Sequence, residues 1–189
     1  PPIEEMTEAA GTGKEPMQPS EYARLEQHTA IWRISVGDDE AAIGGALAAG
    51  RLMATLARAG AAGAFVPALL QLHSPSFIET QTMKLNHERA LCNLFVAAWD
   101  DGDWMMSRGL TAFGHPELET PVDSGLNAAY FRLMDIASNT IAREEAYPVG
   151  ANLEVGGEQY RLEEGRRGPE DERAAVNGAF GTRSIVPAT

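Results

Sequence analysis

His115, Glu117 and Glu119 are spaced two residues apart. In an extended backbone alternate side chains share a face, so the spacing predicts one imidazole and two carboxylates pointing the same way. That donor set binds a divalent cation, and with it the chain would be a metal-assisted hydrolase. A solvated turn fixed by Pro116 accounts for the same residues, and His73 and His28 are the imidazoles available to complete a site. Asp100, Asp101 and Asp103 surround Gly102. An EF-hand calcium loop needs a distant bidentate Glu and flanking helices. Here the flanks read as strands, and an Asp-Gly hairpin turn explains the acids. Ser74, Ser107 and Ser124 lack a Gly-x-Ser-x-Gly elbow, and Ser124 reads better as a helix cap. Cys92 lies in an apolar run and reads as a buried, inert thiol. Arg108 precedes Gly109 and is placed to reach Glu117, Glu119 or a ligand carboxylate. No catalytic set emerges, and no cofactor is expected beyond that divalent metal.

Charge narrows the partners. The 189 residues hold 27 Asp and Glu against 15 Lys and Arg, a formal charge of −12. A phosphate backbone needs a cationic face, so nucleic acid is not expected, and neither is an anionic membrane surface. Residues 99–123 carry six acids against one base, Arg108. Asp100, Asp101, Asp103, Trp104 and Arg108 are therefore the expected contacts of a basic protein partner, drawn in by long-range attraction that salt would screen. A single cysteine excludes an intramolecular disulfide and any multi-cysteine metal site. No apolar run approaches the roughly 18 residues of a membrane span, and no basic-then-apolar leader is present. A cytoplasmic location is the expectation.

These residues need elements to hold them. Residues 1–21 contain four Pro, two Gly and five Glu and predict a flexible acidic arm, packing if at all through Ile3 and Met6. Residues 28–36 (HTAIWRISV) alternate apolar and polar and predict a half-buried strand. Asp38, Asp39 and Glu40 start a helix that Gly60 ends. A short strand is expected over 61–67, an ambiguous connector over 69–74, and a helix from Ser74-Pro75. Residues 89–99 (RALCNLFVAAW) read as a central buried strand, turning through 100–103 into a partner strand over 104–113. Leu126, Tyr130, Leu133, Ala137 and Ile141 mark an amphipathic helix. A hairpin around Gly156-Gly157 follows. The sum is one α+β domain over 22–165, a mostly antiparallel sheet with helices packed on one face, ferredoxin-like in outline. Residues 166–189 form a polar tail or a late strand.

The stretch from Ser107-Arg108-Gly109-Leu110 through Phe113-Gly114-His115-Pro116 to Glu117-Leu118-Glu119 resembles the signature of an uncharacterised bacterial family, domain of unknown function four-two-six-one. Members carry Thr-x-Gly-Leu/Met-x-x-Phe-Gly-x-x-Glu-Leu/Ile-Glu, and Ser107 stands where Thr is usual. His28-Thr29-Ala30, Ala64-Phe65-Val66 with Pro75 and Phe77, and Pro148-Val149-Gly150 match further parts in order, so the resemblance spans about residues 28–160. Members usually have another strand–helix–strand before Pro2-Ile3. Its lack here implies a fragment or a shortened front; a fragment would leave an exposed sheet edge, through which copies would associate or to which the missing segment would pair. The resemblance implies no established activity. The expected function is thus a non-enzymatic protein-interaction module, immunity-type or adaptor, with the hydrolase as the alternative.

Overall fold

The computed structural model describes Met6, Ala9 and residues 13–35, 42–83, 87–166 and 180–188. Ile3, Val36 and the helix start at 38–40 lie outside the described residues. The chain divides into two compact units, Pro1–Phe95 and Val96–Thr189, a division inside the span read as one domain.

In the first unit, α1 (Pro19–Glu26) is opened by Gln18, whose N–H donates to Glu21 Oε2 at 2.9 Å. The Ala-rich helix α2 (Ala42–Arg58) packs on α3 (Pro75–Thr82) and α4 (His87–Phe95). Their shared core is Met53, Ala54, Ala57, Phe77, Ile78 and Leu94, at about 1.5–3 kcal/mol for each large apolar side chain removed from water. Ser74 caps α3 by accepting the Phe77 N–H at 3.1 Å, with Pro75 in the first turn as expected. Strands β1 (Ala64–Val66) and β2 (Gln71–His73) pair antiparallel, so the ambiguous connector contains a strand. Met6 and Ala9, within the expected loose arm, are buried with Leu25 and Leu72.

Two expected strands of this unit take other forms. Residues 87–95 are helix, and only Ala97 onward is strand. A continuous apolar run does not distinguish a buried strand from a buried helix. Ala90, Leu91, Cys92 and Leu94 are helix-compatible, and Asn93 reaches Gln81 on α3, donating to its Oε1 at 2.7 Å. Residues 29–35 adopt no regular element and are exposed.

The second unit is a six-stranded sheet with the order β3-β4-β5-β8-β7-β6. The strands are β3 (Ala97–Asp100), β4 (Trp104–Arg108), β5 (Glu117–Pro121), β6 (Asn152–Val155), β7 (Glu158–Glu164) and β8 (Thr182–Pro187). Two antiparallel meanders meet at the parallel pair β5–β8. The α+β class and the mostly antiparallel sheet are as expected. The connectivity is two three-stranded meanders joined through one helix, not split βαβ units. That helix, α5 (Leu126–Ile141), contacts β3, β4, β5 and β6 and buries Ala129, Leu133, Ile136, Ala137 and Ile141, three of them on the step pattern the sequence shows, whereas Leu126 at its start is exposed. The late segment is strand β8, placed in the middle of the sheet. Among the described residues, no helix is long and apolar enough to cross a membrane.

Candidate functional site

Glu117 opens β5 and is fully buried. The turn before it supplies the donors. The Ser107 hydroxyl donates to Glu117 Oε2 at 2.6 Å. The N–H groups of Gly109 and Thr111 donate to Oε1 at 2.7 and 3.2 Å, and the Thr111 hydroxyl at 3.4 Å. Gly109 has φ 121°, which only glycine adopts readily, and this bend aims the following N–H groups at one carboxylate. Ser107 Oγ in turn accepts the Leu118 N–H at 2.7 Å. Burial pushes the Glu117 carboxyl above its usual range, against hydrogen bonds that favour the ionised form.

Glu119, two residues on and equally buried, faces the same way. Ser184 lies beside it across the parallel β5–β8 pair and donates to Oε1 at 2.5 Å. The Arg166 N–H donates to the same oxygen at 2.6 Å, and its Nε lies 3.4 Å away. The Arg166 guanidinium also sits 3.8 Å over the Trp104 ring, within the range of a cation–π contact.

His115 is buried but stands before the strand. Gly114, at φ 80°, closes the 3₁₀ turn Leu110–Phe113 just ahead of it. The alternation that aligns 117 with 119 therefore does not extend back to 115. The imidazole bonds the Arg143 carbonyl, and its Nδ1 has no partner among the described residues. Burial lowers its pKa, assisted by the Arg143 charge. The expected His115, Glu117 and Glu119 metal cluster is thus replaced by two separate carboxylate cages and an imidazole turned elsewhere. Among the described residues, no group of three His, Cys, Asp or Glu side chains is disposed to hold a metal ion. His73 and His28 are likewise committed, to the carbonyls of Leu94 and Leu25.

The acidic turn closes through the Asp101 N–H, which donates to the Trp104 carbonyl at 2.8 Å. Asp100 Oδ1 accepts the Gly102 N–H at 3.0 Å. Asp100 and Asp103 are exposed, and Asp101, Trp104 and Arg108 are half-buried. Glu119 is met by Arg166, not by Arg108. Sequence reasoning missed Arg166 and Ser184 because they lie 47 and 65 residues from Glu119. One signal is present: Thr182 and Ser184 are small polar residues at alternate positions ahead of the apolar Ile185 and Val186.

A shallow concavity beside α5, lined by Pro116, Leu118, Thr140, Tyr147, Leu162 and Arg183, has about 10 Å³ of room, that of a single water.

In the first unit, exposed apolar groups cluster on residues 28–35. Trp32 is 80% exposed, Ile31 48% and Ile34 37%. Among the described residues, no backbone N–H or C=O of 29–35 has a hydrogen-bond partner. No family model matches the chain, and no curated protein or solved structure matches it.

Proposed function

We propose that this chain is a protein-interaction module whose contact element is the irregular segment 28–35. The observation that carries this is Trp32, 80% exposed between Ile31 and Ile34 on a backbone that has no hydrogen-bond partner among the described residues. Single exposed apolar residues are ordinary, but Trp32 and Ile34 share one face of this segment when it is extended, and apolar groups grouped on one face mark an interaction site. Aromatic side chains are enriched at interface centres. The two buried glutamates support the same reading from the other side. Their oxygens are occupied by the protein's own donors, so they serve the fold of the β4–β5 turn and the β5–β8 pair. The resemblance to the family of domain of unknown function four-two-six-one is consistent with this, since Ser107, Gly109, Glu117 and Glu119 of that signature have structural partners. The exposed Asp100 and Asp103 add a steering charge for a basic surface.

The test replaces Trp32 with a photo-crosslinking amino acid in the full chain. A discrete adduct on irradiation is expected. Irradiation that leaves only the single chain, in purified protein and in cells expressing it, would overturn the proposal.

A further inference from the structure

Strand β6 ends the six-stranded sheet. Its hairpin with β7 closes on the pair Val155–Glu158 through Gly156-Gly157. In such a two-residue hairpin the closing pair is hydrogen-bonded, and bonded pairs alternate along the ladder. The Leu162 N–H donating to the Ala151 carbonyl at 2.9 Å fits that alternation. Asn152 and Glu154 therefore direct their main-chain groups outward. Among the described residues nothing bonds to them there. Along β6, Leu153 and Val155 are half-buried on one face, and Asn152 and Glu154 are exposed on the other.

Residues 29–35 have the matching pattern. Ala30, Trp32 and Ile34 share one face of an extended chain, and Thr29, Ile31, Arg33 and Ser35 share the other. Arg33 is the segment's only titratable residue, and it holds no acid. With Arg33 set opposite Glu154 in an antiparallel pair, Trp32 meets Val155 and Ile34 meets Leu153. Apolar faces apolar, cation faces anion, and the free edge groups gain partners. A one-residue slip would bring Trp32 opposite Glu154, so the register is specified.

Resting on the interaction reading above, we propose that the partner is a second copy of this chain, and that residues 29–35 of one copy add as a seventh strand to β6 of the other. This is β-augmentation, in which main-chain bonds supply affinity and alternate side chains supply register.

The full chain carrying the photo-crosslinker at position 32 serves both questions. The expected adduct has twice the chain mass, with the link mapped to 152–155, and light scattering shows a dimer that dissociates on dilution. Arg33→Glu and Glu154→Arg should each weaken the dimer about fivefold per contact, and the double charge swap should restore it. An adduct to a different protein overturns self-pairing and leaves the interaction reading standing. A strictly monomeric chain with no adduct overturns both. A two-chain adduct mapped away from 152–155, or one indifferent to both charge reversals, overturns the strand register and with it the proposal.

Discussion

Glu119 and Arg166 are joined twice: the Arg166 main-chain N–H donates to Glu119 Oε1 at 2.6 Å, and its guanidinium Nε lies 3.4 Å from the same oxygen. The two contacts differ in weight. The side chain of Arg166 is 38% exposed, whereas Glu119 is fully buried. An exposed guanidinium contributes little to a pair, while removing a buried acceptor leaves its donors unsatisfied.

Glu119→Ala is therefore expected to destabilise the second unit by about 2–4 kcal/mol, since it strands the Arg166 N–H and the Ser184 hydroxyl and leaves a void. Arg166→Ala should cost under about 1 kcal/mol, because its main-chain donor survives. Urea unfolding followed by tryptophan emission reports both, as Trp99 and Trp104 lie in this unit. Equal losses would contradict the ranking.

How far the sequence reveals this arrangement depends on distance along the chain. The Ser74 cap, the Leu133, Ala137 and Ile141 part of the α5 stripe and the Gly156-Gly157 turn are local, and each matches its sequence signal. The Glu117 cage is nearly local, spanning 107 to 117, and its pieces were all visible; what hid its meaning was that a carboxylate beside a histidine reads equally as a metal ligand. Glu119 is different. Its partners come from β8 and from the end of β7, and no local pattern ties position 119 to 166 or 184. Residues 87–95 failed for another reason, because an apolar run without period fits helix and strand alike. Residues 28–36 carry a true strand pattern whose partner strand is missing from the described fold, which is the discrepancy that the interaction proposal builds on.

The Glu117 cage has a pH signature. Its folded carboxyl titrates above the ordinary 4.5, chiefly through burial. The folded state thus holds this proton more tightly than the unfolded chain. The resulting stability is fully present below pH 4.5 and is lost as pH rises through the folded value. Glu117→Gln removes the titration, so the gap between wild type and variant should shift in favour of the variant as pH rises from 4.5 to 7. Paired denaturant curves at those two values measure it. A gap that stays constant would mean that Glu117 does not titrate differently on folding.

His73 gives the opposite slope in the first unit. It is buried against Phe77, with ring centroids 5.1 Å apart, and its Nε2 lies 2.9 Å from the Leu94 carbonyl. Burial lowers its pKa from 6.5 to about 4, and the nearby Lys14 charge adds to this. A base with a depressed folded pKa contributes stability that is present above pH 6.5 and lost as pH falls toward 4. The slope is up to about 1.4 kcal/mol per pH unit. His73→Gln keeps a donor for Leu94 and removes the charge. Hydrogen exchange of α3 amides at pH 7 and pH 5 should show wild-type protection falling more steeply than in the variant.

Two glycines separate space from conformation. Gly50 sits within α2, where an added Cβ would meet Leu94 Cδ1 at 3.5 Å, an ordinary contact. Gly50→Ala should raise stability by about 0.5–1 kcal/mol, because alanine restricts the unfolded chain and suits a helix interior. Gly165 follows β7, and its N–H donates to the Thr182 carbonyl at 3.1 Å. A Cβ there would collide with the Thr182 main chain and hydroxyl. Gly165→Ala must push β8 away at the point where Glu117 and Thr182 pair, and a loss of about 2 kcal/mol or more is expected. Thermal melts of the two variants should move in opposite directions. If Gly165→Ala melts with the wild type, the close approach of residue 165 to β8 is not a feature of the folded chain, and the placement of Arg166 on Glu119 would fall with it.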